Sequence, residues 1–253
     1  ETQALLMQDQ LPAHLHQQTP EHKDNGASCR LDPTATASQI PISSFPRPTQ
    51  NTRSKPMAHL NPVPLAEVKD DDIRERFEHY RNTRGFTPNS IMTMVRRPNI
   101  VRAFMALNQA VLYEGTVPEE TKMLVSLACS YAAGCLYCQS HMSNLASIYK
   151  ASDEKIAALW NFEQSTLFNE AERAAIRLAL KAGAQPNEAS QADFDELKKH
   201  YTDEQIVEIV ASIALFGYLN RWNDTMATAL EPLAAEVAER AIGAVGWTQG
   251  KHV

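Results

Sequence analysis

From about Leu65 onward the apolar residues recur at three- and four-residue intervals, and a chain so patterned folds as packed helices. Ile73, Phe77 and Tyr80 share one helical face, with Asp70 to Asp72 as an acidic first turn. The stretch Gly85-Phe86-Thr87-Pro88-Asn89 breaks the pattern. Ile91, Met94 and Val95 predict a short helix ending before Pro98, and Ile100, Phe104, Leu107, Val111 and Leu112 a longer one stopped by Gly115. Thr116-Val117-Pro118-Glu119 reads as the capped start of the next helix, which is apolar on most sides and therefore buried. That helix ends at Gly134, and another begins at a cysteine pair.

The later helices carry their own start signals. Ser152 caps a short helix reaching Trp160, and Asn169-Glu170-Ala171-Glu172 opens one that Gly183 terminates. Thr202-Asp203-Glu204-Gln205 is a capping box for an apolar helix through Ile206, Ile209, Val210, Ile213, Leu215 and Leu219. A last helix follows Pro232. No strand alternation with hairpin turns occurs, so the fold class is all-α, a bundle of about eight to ten helices. The helices from Glu119 to Ala133 and from Ile206 to Leu219 are apolar on more than one face, which predicts a homo-oligomer.

Residues 1–56 differ. Half of the 14 prolines lie there among Gln, Ser and Thr, without a sustained apolar period. Such a segment cannot bury enough apolar surface to offset its ordering entropy, so it reads as a low-complexity tail or upstream extension. Residues 57–253 form the helical domain.

A formal net charge of -6 lacks the basic face that nucleic acid requires. The best apolar run, Ile206 to Leu219, is too short and too interrupted to cross a membrane. The four cysteines are too few and too unevenly spaced for a secreted disulfide scaffold. These readings predict a cytoplasmic protein without nucleic-acid or membrane partners.

The chemistry concentrates in Gly134-Cys135-Leu136-Tyr137-Cys138-Gln139-Ser140-His141. Two thiols three residues apart lie on one face of a helical turn. At a helix start, free N–H groups and the positive dipole end favour thiolate over thiol. His141, three residues beyond Cys138, supplies a base, and the second thiol lets an oxidised sulfur resolve as a disulfide. A metal site is the second reading, since Cys-x2-Cys-x2-His offers three soft ligands, but no second pair stands at finger spacing. Two buried structural thiols with a satisfied histidine are the third. Cys129 lies in an apolar helix and reads as inert core. Arg221 and Asp224 can pair three residues apart, either where the helix emerges to solvent or in a polar network beside the thiols or across a subunit boundary.

Residues 60–235 resemble the alkylhydroperoxidase-D-like, carboxymuconolactone decarboxylase superfamily, in its peroxidase-related branch. The shared features are Pro88-Asn89 followed by Pro98 ahead of a helix, a buried apolar helix, Gly-Cys-x-Tyr-Cys with a histidine just after, and Gly217-Tyr218-Leu219-Asn220-Arg221-Trp222-Asn223-Asp224. The resemblance implies an all-α fold, a trimer-based homo-oligomer, and an enzyme of the thiol peroxidase type that needs no cofactor or metal. Its partners would be a peroxide or other small-molecule substrate and an external dithiol electron donor. It further implies that Cys138 attacks, Cys135 resolves, and a histidine and a glutamate relay protons. Two positions depart from the pattern. Met123 stands where the relay glutamate usually lies, leaving Glu119 and Glu120 further back as weaker candidates. His141 stands three residues after the second cysteine instead of four, and one residue turns a side chain by about 100 degrees. A decarboxylase-like or other small-molecule enzyme on the same fold, or a non-enzymatic oligomeric or metal-binding protein, is the alternative.

Overall fold

A computed structural model describes residues 58–253. The tail expected over residues 1–56 lies outside the described residues. Those described contain ten α-helices and no strand: α1 Asp71–Arg84, α2 Asn89–Met94, α3 Pro98–Tyr113, α4 Glu119–Ala132, α5 Leu136–Ile148, α6 Asp153–Ala158, α7 Glu170–Gly183, α8 Gln191–Leu197, α9 Asp203–Met226 and α10 Pro232–Ile242.

Helix α4 is the axis of the bundle. It packs against α5, α7 and α9, and every residue from Thr121 to Ser130 is buried. Helix α5 lies between α4 and α10, and α3 covers α9. The all-round burial of α4 and α5 follows from their lack of a charged stripe. Lys122, buried on α4, is the exception. Its ammonium donates to the Glu114 carbonyl and pairs with Glu208 of α9 at 2.9 Å.

The start of α4 differs from its sequence reading. Thr116 does not cap it; the N-cap is Pro118, which makes no side-chain cap bond. The Glu208 carboxylate instead reaches across from α9 and accepts from the backbone N–H groups of Thr116 and Val117 at 2.9 and 3.0 Å. A carboxylate from another helix thus does the capping, which local spacing cannot reveal. Gly115 makes room for it: its φ is +91°, and a Cβ there would collide with the Glu208 carboxylate.

The capping boxes at Asn169 and Thr202 form as read, and Ser152 accepts from the Lys155 N–H. Helix α8, with its own box at Ser190, falls in a stretch whose short apolar pattern gave no separate helix. Helix α9 continues past Leu219 to Met226, carrying buried Asn220 and Asn223 into the interior.

Candidate active site

The cysteine pair sits where α4 hands over to α5. Gly134, at φ +73°, reverses the chain without a side-chain penalty. Cys135 is then the N-cap of α5, its N–H donating to the Ser130 carbonyl at 3.1 Å, and Cys138 falls in the first turn. Both are free thiols, and both are buried.

Burial changes the balance expected from the helix dipole. Loss of water is the largest effect on Cys138 and, with the hydrogen-bonded Cys135 thiol, raises its pKa well above the ordinary thiol value. The Asn223 amide opposes this by donating to Cys138 Sγ at 3.4 Å. A buried thiol held in this way needs a base to become a nucleophile. Cys129, also buried, is pushed up to about 12 by desolvation, and its Sγ hydrogen-bonds with the Ile213 carbonyl and the Asn220 amide. It is inert core.

A histidine and a buried carboxylate lie together close to the pair. His141 Nε2 lies 2.6 Å from Oε2 of Glu231, the residue that precedes α10. Glu231 Oε1 accepts from the Tyr137 hydroxyl at 3.0 Å and from the Asn89 N–H. Burial acts to raise the Glu231 pKa, but the charge and hydrogen bond of His141 and the backbone donors outweigh it, so the pKa is lowered. An ionised carboxylate only accepts, so it fixes the imidazole hydrogen on Nε2 and leaves Nδ1 to take a proton. Tyr137 stacks on the His141 ring at 4.3 Å between centroids, and Phe86 meets its edge.

Glu119 and Glu120 do not sit in this constellation. Glu120 pairs with Lys155 at 2.8 Å, and Glu119 is felt by Tyr149. Met123 is fully buried. Glu231, about ninety residues beyond His141 in the chain, had no local signal in the sequence beyond its place before Pro232. Arg221 and Asp224 emerge to solvent, as one of the two readings had it, and do not pair with each other. Arg221 donates to Gln185 and Asp224 pairs with Lys251, because both leave the helix toward solvent while Asn220 and Asn223 point inward.

A second histidine and carboxylate lie beside Cys135. Its Sγ, an Asp224 oxygen and a His252 ring nitrogen lie within 4.8 Å of one another. His252 is buried, with Nδ1 2.9 Å from the Thr228 carbonyl. Such an N, O, S set suits a transition metal, but Lys251 Nζ already lies 2.8 Å from the Asp224 carboxylate. Lined by Cys138, His141, Asn223, Phe104 and Leu219, among others, a cavity of about 40 Å³ opens beside the pair. Cys135 does not line it.

This dithiol and histidine–glutamate arrangement on an all-helical frame can be set beside known proteins. Residues 98–190 match the carboxymuconolactone decarboxylase family. The debrominase Bmp8 is 32% identical, with a TM-score of 0.67 over 72% of this chain and 96% of that one. A cysteine-to-alanine variant of Bmp8, in complex with 2,3,4-tribromopyrrole, superposes equally well. An uncharacterised peroxidase-related protein of the alkylhydroperoxidase AhpD core type, from Ralstonia eutropha JMP134, is 28% identical with a TM-score of 0.60, over 72% and 96% of the two chains. A peroxidase-related protein from Silicibacter sp. TM1040, at 18% identity and TM-score 0.62 over 73% and 96%, shares the fold. No curated protein matches the sequence. The chain belongs to the carboxymuconolactone decarboxylase family, within the alkylhydroperoxidase-D-like superfamily.

Proposed function

We propose that this protein is a dithiol reductase that reduces a peroxide at Cys138 and resolves the oxidised sulfur with Cys135. One observation carries the reading: Cys138, and not Cys135, lines the cavity of about 40 Å³, and it shares that cavity with His141 held by Glu231. His141 Nδ1 takes the Cys138 proton, and Glu231 stabilises the imidazolium. The thiolate attacks one peroxide oxygen, the O–O bond breaks, and the alcohol leaves with the proton from His141. Cys135 then attacks the Cys138 sulfenic acid, a disulfide forms and water leaves. The balance is two thiols and one hydroperoxide giving one disulfide, one alcohol and one water. The His252–Asp224 pair beside Cys135 takes the second thiol proton. An external dithiol restores both thiols, so no bound cofactor is required.

Likeness to a debrominase favours a second reading on the same residues. An aryl bromide and two thiols give the arene, hydrogen bromide and the disulfide. Thiol counting separates the two. One equivalent of hydroperoxide should remove both site thiols of wild type, and a brominated pyrrole should not. Loss of thiols to the bromopyrrole alone, with bromide released, would select the dehalogenase. No loss to either would refute dithiol reduction.

Assembly as a homo-oligomer, trimer-based by family resemblance, is part of the proposal. Ile100 and Leu107 of α3 and Val207, Val210 and Tyr218 of α9 are exposed on two helices that pack together. A second copy of the chain is the cover that fits such a face.

A further inference from the structure

We infer that the substrate carries a delocalised anion, such as a carboxylate, on an apolar aromatic body, and that Arg84 binds that anion. The inference rests on the proposed attack at Cys138 for the reacting end of the molecule. The cavity at Cys138, about 40 Å³, has room for only a small reactive head. It shares Tyr80, Arg84 and Leu145 with a larger chamber of about 250 Å³ between α1, α3 and α5. The remainder of the chamber wall includes Arg76, His79, Gln109, Tyr113, Ile148 and Tyr149.

The chemistry of this wall is unusual for the molecule. The chain as a whole is acidic, yet no carboxylate lines either cavity. Glu231 stands behind Tyr137 and His141 at the smaller cavity, its charge taken up by His141, and Glu119 is felt by Tyr149 at the larger one. Arg84 is half-buried at the junction, donating to the Tyr113 hydroxyl and lying 4.5 Å from the Tyr80 ring centroid. Arg76 donates to Gln109. Neither arginine has an ion-pair partner among the described residues. A half-buried guanidinium is costly without an anion, and its planar fork suits a carboxylate. Tyr80 adds an independent sign: its hydroxyl is buried without a hydrogen-bond partner, at the same junction. An anion there satisfies the guanidinium and the hydroxyl together. The aromatic body would then lie along Tyr113 and Tyr149, whose centroids are 6.1 Å apart.

Unreactive probes test this apart from any redox step. Calorimetry on the full chain at pH 8 compares 4-isopropylbenzoate with neutral 4-isopropylbenzamide. The benzoate should bind wild type about tenfold more tightly, as a charge-assisted bidentate contact implies. Arg84→Met should abolish the preference, Arg84→Lys should keep part of it, and Tyr80→Phe should weaken benzoate by about threefold. Added salt should erode the preference in wild type. Equal binding of the two probes, no binding of either, or an unchanged preference in Arg84→Met overturns the inference. If Arg84→Met loses its helical signal, the Lys and Phe variants decide. A preserved benzoate preference in a protein whose thiols ignore peroxide would sink the proposed reaction and leave this site standing.

Discussion

At the scale of single residues, the account turns on Glu231. It gathers His141, Tyr137 and the Asn89 N–H into one buried cluster. Glu231→Gln keeps the shape but cannot stabilise an imidazolium, so peroxide-driven thiol loss should slow by about a hundredfold. An unchanged rate of thiol loss would show that Glu231 serves packing alone. The thiols and His141 were legible in the sequence because their spacing is local. Glu231, Asn223 and His252 were not, because the fold brings them in from α9, the residue before α10 and the chain's last residues; Asp224 was read in a polar network beside the thiols, but without its His252 neighbour. Tyr80 and Arg84 were equally hidden, since nothing beside them in the sequence hints at a chamber wall.

At the scale of elements, the join between α4 and α9 is the most exposed to pH. Burial works to raise the Glu208 carboxyl, but the Thr116 and Val117 N–H groups and Lys122 overcome it, taking its pKa to about 2. A carboxyl lowered in the folded state adds stability above its ordinary pKa and loses it as pH falls. The contribution of Glu208 should therefore be full above about pH 5 and fade toward pH 2. Glu208→Gln should lower stability by roughly 3 kcal/mol at pH 7, because it leaves the buried Lys122 ammonium without its counter-charge. Urea unfolding of both proteins at pH 7 and pH 3 checks this; an equal gap at the two pH values would contradict it. Gly115→Ala should also destabilise, since it forces a side chain into the Glu208 carboxylate at positive φ. Helix periods, capping boxes and the handover at Gly134 could be read from local patterns. The true cap of α4 could not, because its carboxylate comes from another helix.

At the scale of the whole molecule, α9 leaves Val207 67% exposed, and Leu107 of α3 is 52% exposed. Val210→Glu, in this face, should shift the chain to a smaller assembly in sedimentation while leaving its thiol chemistry in place. A wild-type monomer at micromolar concentration would refute the oligomer. Among the described residues no helix is long and apolar enough to cross a membrane. The central claim is a division of labour between two sulfurs inside one intact fold. Its most direct test is mass spectrometry of Cys135→Ser and Cys138→Ser after one equivalent of hydroperoxide. The account predicts a trapped sulfenic acid on Cys138 in the Cys135 variant and an unoxidised Cys135 in the Cys138 variant. A sulfenic acid on Cys135 in the Cys138 variant, with Cys138 untouched in the other, would contradict it.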